Sequence, residues 1–234
     1  MSLVSADKLE KTYQIYEISV NAIRGVNCAI EPAYFVSFVG PSGSGKSTLL
    51  NMIGCLDPPT NGSLEVAGQD ITRMDRKQAA RFRGEHIGFV FQDFNLIPVL
   101  TVFENVEYPL LMVQNRPAEE RKKRVNDLLE AVGMGDQASK YPSQISGGQK
   151  QRVAVARALI TKAKLVLADE PTANLDGKTA NRIINLMKKM RDEFKTTFIF
   201  STHDPKVMKN AEIVFTLEDG LLQQRQNHNG GDHG

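Results

Sequence analysis

Short apolar runs bounded by turn residues recur near both ends of the chain. They fall at 22–30, 34–39, 63–66 and 87–91, and again at 165–168, 197–201 and 213–217. Runs of this length predict strands. In the second half they alternate with helical patterns, including one over 178–194, which predicts a parallel, doubly wound α/β core. The stretch 93–158 reads as helical instead. Pro117 suits a first helical position, where its missing N–H costs nothing. Val125, Leu128, Leu129 and Val132 then follow at i, i+3, i+4 and i+7, and Gly133 supplies the stop. The expected organisation is one domain, with a core of residues 1–92 and 159–225, a helical insertion over 93–158, and a polar, Gly-rich flexible tail over 226–234.

Composition narrows the function classes. The 234 residues are 41% hydrophobic, enough to bury a core without staples. With 29 basic and 27 acidic residues the net charge is +2, which argues against a dedicated nucleic-acid binder. The basic run Arg116, Arg121, Lys122, Lys123, Arg124 contains Glu119 and Glu120 four residues before Lys123 and Arg124, the spacing of a solvated, ion-paired helix face. No apolar run approaches the ~20 residues of a membrane span. Asp7 falls where a signal peptide needs its apolar stretch. A cytoplasmic location is expected. Cys28 and Cys55 have no metal-ligand neighbours and read as reduced thiols. His228, Asp232 and His233 in the tail are too sparse a set to carry a metal reading.

The strongest local motif is Gly40-Pro41-Ser42-Gly43-Ser44-Gly45-Lys46-Ser47, a full G-x-x-x-x-G-K-[ST] between an apolar strand and an apolar helix that starts at Thr48. Its glycines let backbone N–H groups converge on phosphate oxygens, at the positive end of the following helix. Lys46 adds a charge near the β/γ-phosphates, and the Ser47 hydroxyl suits Mg²⁺. The run 165–168 ends in Asp169 and Glu170, and an acid at the carboxyl end of a parallel strand lies at the ligand edge of the sheet. Asp169 is expected to hold Mg²⁺ and Glu170 to act as general base toward water. A second phosphate-ready helix start is Ser146-Gly147-Gly148-Gln149, where Ser146 is an N-cap and the glycines leave N–H groups open.

Together these residues resemble the ATPase subunit of ABC transporters. Ile145–Gln149 differs by one conservative change from that family's Leu-Ser-Gly-Gly-Gln signature. Gln92 resembles the Q-loop glutamine that touches Mg²⁺ and the attacking water. Asp176, in Ala173-Asn174-Leu175-Asp176, resembles the D-loop acid, and His203 the switch histidine. Tyr13 is similar to the aromatic that stacks on adenine, with Tyr16 a rival for that role. The stretch 54–62, with 88–92, 94–98, 104–106 and 168–172, resembles the lipoprotein-releasing and macrolide-exporter branch.

The resemblance implies a P-loop NTPase (RecA-like) core with an N-terminal antiparallel β subdomain and an inserted α-helical subdomain. It also implies ATP and Mg²⁺ as ligands, and a head-to-tail homodimer that shares two ATPs. Integral membrane permease subunits are the implied partners, with the ATPase peripheral on the inner face of the membrane. A soluble ABC ATPase acting on nucleic acid or ribosomes fits less well, because the chain lacks a basic stripe and a long coiled-coil insertion. A non-hydrolysing ATP switch conflicts with intact Lys46, Glu170 and His203. The apolar residues Phe94, Leu96, Ile97, Val99 and Leu100 read equally as a docking groove for the permease or as the insertion's own core. Ala33-Tyr34 replaces the family's usual Gly-Glu, so a turn with positive φ there would be strained.

Overall fold

The computed structural model describes residues 2–227. A hairpin of β1 (Val4–Ile15) and β2 (Ile18–Ile30) leads to β3 (Phe35–Val39) and, through the glycine-rich loop, to α1 (Lys46–Ile53). Strands β4 (Asn61–Val66) and β5 (Gln69–Asp70) return to the hairpin, completing a four-stranded antiparallel sheet in the order β2-β1-β4-β5. Helix α2 (Arg76–His86) then leads into β6 (Ile87–Val90). A helical segment follows, with α3 (Val102–Pro109), a π-helical turn (Leu110–Gln114), α4 (Ala118–Ala131) and α5 (Gly147–Leu159). The chain finishes with β7 (Leu165–Asp169), α6 (Gly177–Phe194), β8 (Thr197–Ser201), α7 (Pro205–Asn210), β9 (Ile213–Glu218) and β10 (Leu221–Asn227). The second sheet is six-stranded, in the order β10-β9-β3-β8-β7-β6. It is parallel except at its β10 edge.

Alternation along the parallel strands explains the layering, because successive side chains point to opposite faces. Phe35, Val166, Ala168, Phe198 and Phe200 face the helical segment and α6, packing with Val153, Ile183 and Met187. Val36, Phe38, Leu165, Leu167 and Ile199 face the other way, onto α1 and the antiparallel sheet through Leu49, Met52, Leu9 and Ile23. Helix α1 is thus held between two sheets, which fixes the loop at its N-terminus.

The elements not expected from the pattern are polar ones. Strand β1 carries Lys, Glu, Asp and Thr, and register shifts at Ala6/Leu9, Leu9/Glu10 and Lys11/Thr12 break its period of two. Helix α2 buries only Phe82, and a capping box between Asp75 and Gln78 secures its start. Strand β10 is a polar edge that runs through Asn227. Gln226 and Asn227, expected in a flexible tail, are therefore paired with Val214 and Ile213. The rest of that tail, including His228, Asp232 and His233, lies outside the described residues. Pro117 is the N-cap of α4, in an extended conformation, and not its first helical residue. Val125, Leu128, Leu129 and Val132 are buried as expected. The basic run on α4 is ion-paired through Glu120 to Arg116 and Arg124, and through Glu107 to Arg121. Leu96 packs against the core of the helical segment, as expected of the insertion's own core, whereas Val99 is 78% exposed.

Ala33 has φ 63, a left-handed conformation that glycine adopts without strain. Its amide donates to Thr197 Oγ1 at 2.7 Å, which anchors the turn. Ala33→Gly keeps that bond and removes the strain. It is expected to raise stability by about 0.5–1 kcal/mol, and urea unfolding measures the change.

Candidate active site

The carboxyl ends of β3, β7 and β8 open onto one cavity of about 980 Å³. Its wall includes Gly40, Ser42, Gly43, Gly45, Lys46, Ser47 and Thr48 from the glycine-rich loop, with Gln92, Asp169, Glu170, Ser201 and His203. Residues from these four separate stretches of sequence meet there because parallel strands end on one edge.

The loop is built for close backbone approach. A Cβ on Gly40, at φ 148, would lie 2.0 Å from the Leu217 carbonyl oxygen, and one on Gly45, at φ 102, 2.5 Å from that of Ala22. A Cβ on Gly43 would meet nothing within 4 Å, so that side of the loop is open. Helix α1 has no side-chain cap and no acid in its first turn. Its positive end and first N–H groups are therefore free for an anion. Lys46, buried, donates to the carbonyls of Gly40 at 2.9 Å and Pro41 at 2.8 Å, so the amine lies inside the loop. The Ser44 and Ser201 hydroxyls are buried without a hydrogen-bond partner. A phosphate chain fits this arrangement: converging amides, one amine, and buried hydroxyls unsatisfied by protein. For Mg²⁺, the Ser47 hydroxyl, Asp169 and the Gln92 amide are oxygen donors on the same wall, the type a hard cation takes. No group of three His, Cys, Asp or Glu that could hold a metal occurs among the described residues. Phosphate oxygens must complete such a site.

Glu170 sits just beyond β7 with φ 45, a conformation that costs a non-glycine residue ~1–3 kcal/mol and clusters at functional sites. Its amide donates to the Ser201 carbonyl at 2.9 Å. Its carboxylate is gripped on both oxygens. Thr202 Oγ1 donates to Oε2 at 3.1 Å, and His203 Nδ1 lies 2.6 Å from Oε1. The Asp204 amide donates to Thr202 Oγ1 at 3.0 Å, and Thr172 Oγ1 donates to Asp204 Oδ2 at 2.9 Å. Sequence reasoning found Glu170 and His203 but not Thr202, whose only signal is adjacency to His203.

Gln92 is exposed, and its loop is tied down by residues the motifs did not single out as ligands. Asn174 Nδ2 donates to the Gln92 carbonyl at 3.1 Å and to Asp93 Oδ1 at 2.9 Å. Arg157 donates to the carbonyls of Phe94 and Asn95. Buried Asn105 holds Ile97, Leu100 and Thr101 through their backbones.

The second helix start, Ser146–Gln149, does not line this cavity. Ser146 caps α5 by accepting from the Gln149 amide at 3.3 Å, and Gln149 Oε1 accepts from the Ser146 amide at 2.9 Å. Gly148 has a packing reason, since a Cβ there would lie 2.5 Å from Thr179 Cγ2. Gly147 has none as close, its nearest contacts being 3.7 Å from Leu175 and Phe94. Asp176 caps α6. Hydrogen bonds from Thr179, and then from the Lys178 amide, hold its carboxyl below the usual carboxylate range. Tyr13 is half-buried, and its hydroxyl donates to Asp57. Tyr16 is 95% exposed at the hairpin tip. Burial pushes the thiols up, to about 12 at Cys28 and about 11 at Cys55, so both are poor nucleophiles at neutral pH.

A family model described as ABC transporter matches residues 23–173. An ABC transporter ATP-binding protein of Thermotoga maritima is 45% identical over 213 residues, covering 91% of this chain and 90% of its own. The cassette MJ0796 of Methanocaldococcus jannaschii is 42% identical over 233 residues, covering 98% and 99% of the two chains. The dimeric structure of a post-hydrolysis state of MJ0796, bound to ADP and Pi, matches with a TM-score of 0.88 over 97% of this chain and 100% of that one. The macrolide export ATP-binding/permease protein MacB of Syntrophobacter fumaroxidans is 41% identical over 224 residues, which are 95% of this chain but 31% of that protein.

Proposed function

The chain belongs to the ABC transporter family, and from that premise we propose that it is the ATP-hydrolysing subunit of a transporter. In this reading it works as a head-to-tail homodimer beneath integral membrane permease subunits of the lipoprotein-release or macrolide-export type. The observation that carries the reading is the single cavity wall shared by the glycine-rich loop, Gln92, Asp169, Glu170 and His203.

The loop amides and Lys46 bind and neutralise the phosphate chain of ATP. Ser42, Gly43, Ser44, Gly45, Ser47 and Thr48 supply its cradle. Ser47, Asp169 and Gln92 would hold Mg²⁺, which would supply charge neutralisation to the phosphate chain. Glu170 accepts the proton of the attacking water, a role worth ~10²–10⁴-fold. Its carboxylate is aimed by Thr202 and His203. Gln92 and His203 orient the water and sense the γ-phosphate.

The homodimer is supported by the absence of Ser146–Gln149 from the cavity wall. One chain presents two anion-binding helix starts that do not meet, and a two-fold axis brings each against the other's partner. Ser146, Gly147, Gly148, Gln149 and Asp176 then complete the site from the second copy. The dimeric MJ0796 cassette and the permease fused within MacB support the two kinds of partner. No helix among the described residues is long and apolar enough to cross a membrane, in keeping with peripheral attachment through the permease on the cytoplasmic side. No role with nucleic acid is proposed.

Phosphate release from ATP by the purified chain tests the reading. Release is expected with Mg²⁺ and is expected to fall to background when the metal is chelated. ATP binding without any phosphate release, with or without co-purified membrane protein, would contradict it.

A further inference from the structure

We propose that Asp57 is a positioning residue for nucleotide binding, clamping Tyr13 to helix α1 so that the base-stacking ring and the phosphate loop form one rigid cradle. The proposal deepens, and rests on, the reading of Tyr13 as the residue that stacks on adenine.

Lys11 and Tyr13 are two apart on β1, on either side of its register shift at Lys11/Thr12. Both meet the carboxylate of Asp57, in the loop that follows α1. Lys11 Nζ donates to Asp57 Oδ1 at 2.5 Å, and the Tyr13 hydroxyl donates to Oδ2 at 2.6 Å. Lys11 Nζ also donates to the Pro58 carbonyl at 2.7 Å and lies 5.0 Å from the Tyr13 ring centroid. The ammonium is largely buried, with side-chain exposure of 10%, so its counter-charge is fixed in place. The clamp therefore holds both the hydroxyl and one face of the ring.

Neither Tyr13 nor Asp57 lines the nucleotide cavity itself, but two observations put the clamped ring next to residues that do. Tyr13 pairs with Val20 across the β1–β2 hairpin, and Val20 lines the cavity. Thr48 also lines it, and its side chain lies close enough to the Tyr13 phenol to act on it electrostatically. The phenol is thus held from beyond the end of α1 by Asp57, with Thr48 of the first turn beside it. Burial first, and Asp57 second, push the Tyr13 phenol above its ordinary value, so it remains a protonated donor at neutral pH. The stretch 54–62, which carries Asp57, has no other role in the site. A clamp across 44 residues of sequence gives it one.

The test uses ADP as probe, with inorganic pyrophosphate as the base-free control, titrated calorimetrically into the full chain with Mg²⁺. Tyr13→Ala is expected to weaken ADP about tenfold, the loss of one base–aromatic stack, and to leave pyrophosphate unchanged. Asp57→Asn leaves a single uncharged oxygen for Lys11 and Tyr13 to share, and Tyr13→Phe removes the hydroxyl; each breaks the clamp, and each is expected to weaken ADP about fivefold. The double variant is expected to weaken it no further, and pyrophosphate binding is expected to hold in all three. If Tyr13→Ala leaves ADP binding unchanged, the base-stacking reading fails, and the clamp with it. If Tyr13→Ala weakens ADP but Asp57→Asn and Tyr13→Phe do not, the clamp alone fails. Additive losses in the double variant, or an equal loss for pyrophosphate, would also overturn it, since Asp57 would then act on the loop or on the fold. Tyr13→Phe keeps the ring and the Lys11–Asp57 pair, so the clamp stays testable even if Asp57→Asn unfolds.

Discussion

Glu170→Gln is expected to lower ATP turnover by about 10²–10⁴-fold while leaving ATP binding intact, and to convert the protein with ATP and Mg²⁺ into a stable dimer. The glutamine keeps the size and one oxygen of the carboxylate, so the hydrogen bond from Thr202 Oγ1 survives. What disappears is the group that takes a proton from water. If the γ-phosphate bridges two copies, a site that binds but cannot hydrolyse stays closed. Single-turnover phosphate release reads the rate, and light scattering on the eluted peak reads the mass. A fully active variant would remove Glu170 from the reaction. A variant that stays monomeric with ATP and Mg²⁺ would separate hydrolysis from pairing.

Lys46→Ala is expected to weaken ATP binding by about 10²-fold, and activity with it. The Lys46 amine is confined by the Gly40 and Pro41 carbonyls at 2.9 and 2.8 Å, inside the loop and beside the open face at Gly43. A charge-assisted hydrogen bond contributes ~1.5–3 kcal/mol, and two such bonds to phosphate oxygens reach that loss. Equilibrium titration with ATP measures it. Lys46→Arg is a useful contrast, because the longer planar group does not fit a pocket closed by two backbone carbonyls. Unchanged affinity in Lys46→Ala would mean that the amides and the helix end suffice.

The parts of the site that could be read from sequence are those where contiguous residues carry the geometry. The loop from Gly40 to Ser47 needs only its own glycines and the helix behind it, and the pair Asp169-Glu170 needs only the end of a buried strand. Parallel strands buried on both faces also announce themselves, as Val166–Ala168 and Phe198–Phe200 do. Polar elements do not. Strand β1 buries Val4, Ala6, Leu9 and Lys11 without a steady period, helix α2 buries only Phe82 behind its capping box, and strand β10 buries none, so their patterns look like loops. The contacts that fix the site are harder still to read. Asn174 reaches Gln92 across 82 residues and Thr202 reaches Glu170 across 32. Each is a short polar side chain whose partner is chosen by the fold. Gly148 carries the opposite lesson. Its glycine looked like an open anion site, yet Thr179 at 2.5 Å from a built Cβ already requires a residue without a side chain.

Complementation between two damaged chains tests the shared site most directly. Lys46→Ala damages the phosphate loop, and Ser146→Arg blocks the second helix start with a long charged side chain. In a mixed dimer both defects fall in one site, and the other site is intact. Phosphate release from an equimolar mixture is expected to rise well above that of either variant alone. A mixture no more active than the two variants measured separately, with mixed dimers verified by differential tagging, would contradict a site built from two copies.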